Sequence, residues 1–237
     1  MEKQVDNSDM PANSLIALDK DLYTVTAPLR APGGLQLGTR MTVVRLSSGS
    51  LVVISPVQPD TALRIAVDRL GEVRSVVCPN KWHHIFAPAW KQIYPGATLY
   101  AVAGIEKRAP GLKADATLAA QAPEEWHGEL DLVPIDGFPM FDERAFLHVA
   151  SRTLILTDML ANFREASGVT RLYLKLNGAL GRPGHTLVHR IALNDRVAAR
   201  RAIERVLTWD FDRIVVAHGE VIENGGPAAL REAFAWV

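Results

Sequence analysis

Apolar positions along this chain fall into short runs with two periods. Leu22-Tyr23-Thr24-Val25, Met41-Thr42-Val43-Val44-Arg45-Leu46 and Leu51-Val52-Val53-Ile54 are rich in β-branched residues and are predicted strands. The last two flank Ser47-Ser48-Gly49-Ser50, a hairpin signature, and Ser55-Pro56 ends the run. A helix is then predicted, with Asp60 as its cap, Leu63, Val67 and Leu70 at helical spacing, and Gly71 as a glycine stop. Val76-Val77-Cys78 reads as a buried strand that stops at Pro79. A helix over 87–94 and a strand over Thr98-Leu99-Tyr100-Ala101-Val102 follow. This β-α-β-α-β order implies mostly parallel pairing with crossover helices.

The second half is less regular. Residues 104–128 are rich in alanine, proline and charge and give no pattern of either period. Leu130 to Ile135 and Ala145 to Val149 are predicted strands of a second sheet, and Thr153-Leu154-Ile155-Leu156 is a buried-type strand ending in Thr157-Asp158. A helical segment is expected from Met159, then loop with short helical pieces over 167–190. Asn194 or Asp195 caps a helix with Ala199, Ile203, Val206 and Leu207 on one face. Ile214-Val215-Val216 is the last buried strand and delivers His218-Gly219. Residues 1–14 are expected to be a flexible arm and 15–237 one domain.

Composition narrows the picture only slightly. With 48% apolar and 22% charged residues, the 237-residue chain can bury a sizeable core. Lys+Arg and Asp+Glu both number 26, which gives no reason to expect a nucleic-acid partner. No run of about 18 apolar residues is present, so neither a membrane span nor a membrane partner is expected. The N-terminal stretch lacks the pattern of a signal peptide, and the single cysteine, Cys78, fits a reducing compartment. A cytoplasmic protein is the expectation.

Three buried strands end in candidate ligands: His83-His84, Asp158 and His218. If these strands are parallel neighbours, their ends meet at one sheet edge, where ligands of layered α/β proteins sit. Three imidazoles and a carboxylate suit one divalent cation of the Zn, Fe or Mn kind and suit Ca or Mg poorly. A site that holds no metal is the alternative.

At these residues the chain resembles the metallo-β-lactamase fold, from about Leu22 to about Ile222. The early hairpin, the strand before a His-containing loop, the later strand ending in Asp158 and the final helix-strand-His-Gly follow that superfamily's order. More narrowly, Pro79-Asn80, His83-His84, Trp90, Thr157-Asp158 and Ala217-His218-Gly219 resemble its DUF4336 branch. The resemblance implies a four-layer αβ/βα sandwich with two facing sheets. It also implies a metal site with gaps. The superfamily motif His-x-His-x-Asp-His falls on Pro79, Lys81, His83 and His84, and the next histidine falls on Phe138 of Gly137-Phe138. Half of a dinuclear site is thus missing, and the resemblance implies a mononuclear site of His83, His84, Asp158 and His218.

Other residues are weaker candidates. Trp82, Asn80, Glu143 and His148 could line the pocket or support the ligands, although His148 also reads as a core histidine. His127 and Gly184-His185 read as surface features, Asp136 and Asp142 as turn or capping residues, and Cys78 as a small buried hydrophobe. The functional expectation is a metal-dependent hydrolase acting on an unidentified small molecule. The rivals are a binding module that keeps the fold without catalysis, and a redox enzyme at an iron centre. The sequence carries no P-loop, dinucleotide glycine motif, nucleophile elbow or HExxH.

Overall fold

Alternate residues of the second-half strands part into two cores. The computed structural model describes residues 14–237, so the arm expected over residues 1–14 lies, apart from Ser14, outside the described residues. A four-stranded sheet runs in the order β10 (Leu130–Pro134), β11 (Arg144–His148), β12 (Thr153–Ile155), β14 (Arg213–Val215). Phe146, Ile155 and Val215 point one way, into a core shared with the first sheet. Their neighbours Ala145, Leu147, Leu154, Leu156, Ile214 and Val216 point the other way, into a core closed by helices. Strand periodicity alone therefore splits this sheet between two apolar layers.

The first sheet has seven strands in the order β1 (Ile16–Asp19), β2 (Leu22–Ala27), β5 (Thr39–Arg45), β6 (Ser50–Ile54), β7 (Glu72–Cys78), β8 (Thr98–Ala101), β9 (Ala116–Thr117). Between β2 and β5 lies a small hairpin, β3 (Arg30–Ala31) with β4 (Leu35–Gln36). The predicted hairpin forms, with Val44 opposite Val52. β6, β7 and β8 pair in parallel, as their crossover helices α1 (Thr61–Asp68) and α2 (Ala87–Ile93) require. Asp60 caps α1 by accepting from the Leu63 N–H at 2.8 Å. On the second sheet, α5 (Arg196–Val206), capped by Asp195, packs against β10. The architecture is the four-layer αβ/βα sandwich.

Two expectations need correction, and two stretches without a predicted element acquire one. Residues from Met159 do not form a helix: Ala161–Asn162 is strand β13, paired in parallel with β15 (His218–Gly219). Met159, Leu160, Ala161, Asn162 and Phe163 are all buried, leaving no polar face for a helix, and the Met159 and Ala161 N–H groups bond to Glu143 and Gly184. Gly71 does not end α1 in a left-handed turn. Its missing Cβ instead admits the Gly49 carbonyl, which any side chain would strike. Residues 104–128 hold single helical turns over Ile105–Lys107 and Glu124–Trp126, and seat the fully buried Trp126 against Ser75. The C-terminal helix α6 (Gly226–Phe234), which the sequence reading leaves unassigned, closes the outer core with Leu230 and Phe234. No helix among the described residues is long and apolar enough to cross a membrane.

Candidate metal centre

The strands β7, β12 and β14 are the source of the site, because each releases the chain at the same edge of the sandwich. Beyond β7, Asn80 turns the chain: its Oδ1 accepts the Trp82 and His83 N–H groups at 2.7 and 2.9 Å. Beyond β12 come Thr157 and Asp158. Beyond β14 comes His218, whose pairing with Ala161 in β15–β13 ties the last two exits together.

Here the side chains of His83, Asp158 and His218 converge, with one ligand atom from each lying within 4.8 Å of the others. Asp158 Oδ1 is 3.2 Å from His218 Nε2 and 3.5 Å from His83 Nε2. The two rings are 5.3 Å apart and tilted by 55°. The far side of each ring is held. His218 Nδ1 donates to the Gly38 carbonyl at 2.8 Å. Ser55 Oγ donates to the Arg40 carbonyl at 2.9 Å, so its lone pair accepts from His83 Nδ1 at 2.7 Å. Both imidazoles thereby carry a proton on Nδ1, so Nε2 is the atom each ring turns toward Asp158: protonated, it donates to the carboxylate; deprotonated, it offers a lone pair to a cation. Ser55 does this from a left-handed backbone (φ 56°), a strained conformation of the kind found at functional sites.

Asp158 is fixed from behind. Its Oδ2 accepts from Asn80 Nδ2 at 2.7 Å. Its N–H donates to Glu143 Oε2 at 2.7 Å, beside the Thr157 N–H on Glu143 Oε1 at 2.8 Å. Its carbonyl accepts from His189 Nε2 at 2.7 Å, and the His189 ring stacks on Phe141. Burial opposes ionisation of Asp158, but the charges and hydrogen bonds of His83 and His218 outweigh it and hold the carboxyl well below its ordinary range. Burial likewise opposes charging of His218, yet Asp158 raises its pKa above the usual value. Glu143 is pushed up, first by burial and then by the Asp158 charge.

Of the four ligands expected, His84 is not in the group. It follows His83 in a tight turn, where the His84 N–H bonds the Trp82 carbonyl, and its Nδ1 is buried without a hydrogen-bond partner. Burial, with Arg108 and His83 nearby, lowers its pKa. His148 is away from the site: it stands opposite Thr153, at the start of β12, whereas Asp158 follows the end, and its Nδ1 meets Ser151 Oγ at 2.7 Å. Trp82 lies on the rim, donating to the Met140 carbonyl, with the Arg108 guanidinium 3.1 Å above its ring. Asn80 and Glu143, both fully buried, are the supports described above. Pro79, Lys81 and Phe138 bring no ligand: Lys81 Nζ bonds the Pro139 carbonyl and Phe138 is buried against Trp236.

His185, expected at the surface, is buried between the Met159 and Ala233 carbonyls. His127 is exposed. Asp142 pairs with Arg144 and Asp136 with Arg205, away from the ligands. Burial pushes the Cys78 thiol up to about 12, leaving it inert. Ser55 and His189 were missed. Neither has a local signal, since Ser55 meets a ring 28 residues away and His189 a carbonyl 31 residues away.

The fold defines the class. The chain superposes on metallo-β-lactamase DIM-1 exposed to ceftazidime with a TM-score of 0.65 at 14% identity, covering 94% of this chain and 96% of that one. The metallo-β-lactamase of Pontibacter korlensis gives 0.67 at 12%, covering 94% and 97%. FIM-1 of Pseudomonas aeruginosa in its mono-zinc form gives 0.63 at 14%, covering 94% and 91%. No curated protein sequence matches. The chain has the metallo-β-lactamase fold. The model of the domain of unknown function DUF4336 matches residues 33–173, more than half of the sequence, and the chain belongs to that family.

Proposed function

We propose that this protein is a hydrolase working with one divalent cation held by His83, Asp158 and His218. The observation that carries this reading is the fixed orientation of both rings, which turns two Nε2 atoms and one carboxylate oxygen toward a common point. The donors fit the group, because neutral imidazole and carboxylate suit Zn, Fe or Mn. Three protein ligands also leave positions open, as a catalytic site needs and a closed four-ligand site lacks. A cation held there supplies Lewis acidity toward a carbonyl or phosphoryl oxygen and lowers the pKa of water. The chain's own part is preorganisation: Ser55 and Gly38 set the rings, while Asn80, Glu143 and His189 hold Asp158. A relative of the same fold in a mono-zinc form supports a single cation. The lone, buried Cys78 supports a cytoplasmic setting.

The second reading, a binding module without catalysis, is supported by the filled half of the site, where Pro79, Lys81 and Phe138 replace donors. Elemental analysis after supplementation with Zn, Mn or Fe(II), run beside a panel of ester, amide and phosphodiester substrates, separates the two. One equivalent of metal and a turnover that Asp158→Ala abolishes are expected. One equivalent without turnover would favour the binding module. Two equivalents, or none, would overturn the one-cation site.

A further inference from the structure

Half of the large apolar side chains exposed among the described residues lie in one stretch, Val169 to Ile191. Helix α3 (Gly168–Leu176) carries Val169, Leu172 and Leu176 at i, i+3 and i+7, opposite the buried Thr170 and Leu174. Leu172 is 58% and Leu176 78% exposed. Helix α4 (Leu187–Ala192) buries His189 and Ala192 and exposes Leu187, Val188 and Ile191, the last by 68%. The stripes adjoin, because the Leu187 N–H donates to Oδ1 of Asn177, the residue after Leu176, at 2.6 Å. Scattered apolar residues need no explanation, but a patch of six calls for an occupant.

Charge selects the occupant. Residues 164–191 contain five cations, Arg164, Arg171, Lys175, Arg182 and Arg190, against one acid, Glu165, in a chain whose net charge is zero. Arg182 pairs with Glu232 at 3.9 Å, but Arg171 and Lys175, beside the α3 stripe, have no carboxylate within ion-pair reach among the described residues. A second copy seated on this face by twofold symmetry would oppose cations to cations. Leucine, isoleucine and valine on one face with arginine and lysine beside them match an anionic lipid surface, where apolar side chains enter the acyl boundary and cations meet headgroups.

We infer that the α3–α4 face docks the protein peripherally on an anionic membrane surface. This departs from the absence of a membrane partner expected from sequence, which rested on the lack of a span. Surface docking needs two short helices rather than about 20 apolar residues. The face backs onto the candidate centre, because the buried His189 of α4 holds the Asp158 carbonyl. The inference does not depend on metal or catalysis.

The test is co-sedimentation of the full chain with vesicles of phosphatidylcholine alone or mixed with phosphatidylglycerol, at low and high salt. Binding to the mixed vesicles that weakens with salt is expected. Arg171→Gln with Lys175→Gln should weaken it about 25-fold, at about fivefold per charge. Leu172→Ser with Leu176→Ser should abolish it. Both pairs alter exposed positions, and circular dichroism verifies the fold. Ile65→Ser, on a different exposed surface, should change nothing. Equal binding to both vesicle types, no binding, or a dimer that Leu172→Ser with Leu176→Ser dissociates would overturn the inference.

Discussion

Glu143 and Asp158 share one amide: Asn80 Nδ2 donates to Glu143 Oε2 at 2.8 Å and to Asp158 Oδ2 at 2.7 Å. Glu143 takes the N–H groups of Thr157, Asp158 and Met159 as well. Two buried carboxylates repel, and here the cost is offset by these donors and, at Asp158, by the charges of His83 and His218. Glu143→Gln would turn an amide N–H2 toward donors. It should lower stability by about 1–3 kcal/mol, read by denaturant unfolding. Metal affinity should fall about 10–100-fold, because Asp158 loses its backing. An affinity equal to that of the parent protein would show that Glu143 supports the fold only.

Cation binding should stabilise the native chain. At a free concentration of about 100 times Kd the gain is about 2.7 kcal/mol. For a chain of this size that raises Tm by about 5–10 °C. Differential scanning fluorimetry with added zinc should show the rise in the parent protein, in His84→Gln and in His148→Gln. It should be absent in Asp158→Asn and His218→Gln. A rise lost in His84→Gln would restore that residue to the ligand set.

Gly219 follows His218 at φ 93°, and a Cβ there would strike the Asn162 carbonyl of the paired strand. Gly219→Ala should cost about 2–4 kcal/mol and pull His218 out of register, which a loss of metal binding would report. Gly104, also left-handed at φ 75°, has open space around it. Gly104→Ala should cost only about 1 kcal/mol. Equal costs would mean that backbone conformation, and not the β13–β15 approach, explains the glycine.

Burial lowers the His185 pKa to about 3. Between that value and the ordinary histidine pKa near 6.5, the unfolded chain binds a proton that the folded chain refuses. Stability should therefore rise with pH through this window, with His185 contributing up to about 1.4 kcal/mol per pH unit, and level off above it. His189, shifted the same way chiefly by burial, adds to the slope. His185→Gln should flatten the dependence measured by urea unfolding from pH 4 to 7. An unchanged slope would assign it to other groups.

The early hairpin, the parallel β6-β7-β8 order and the α5 cap were legible because each is a local pattern with its own physical cause. The Met159 segment was misread because five consecutive buried residues carry no period, and the pairing of β13 with β15 settles their conformation. His185 was misread because burial of a Gly-His-Thr loop depends on α6, which returns over it from 48 residues away.

Local patterning was enough to mark the strands β7, β12 and β14 and where they stop. It thereby placed His83, Asp158 and His218 each just beyond an apolar run. Tertiary structure decided which atoms meet. His83 and His84 are equivalent in sequence, yet the Asn80 turn and Ser55 turn only the first toward Asp158. Glu143, His189 and Gly38 enter through contacts across 15 to 180 residues of chain. The reason is physical: strand ends are set by side chains along one segment, whereas ring orientation is set by hydrogen-bond partners that separate strands bring together only once the sheets have packed.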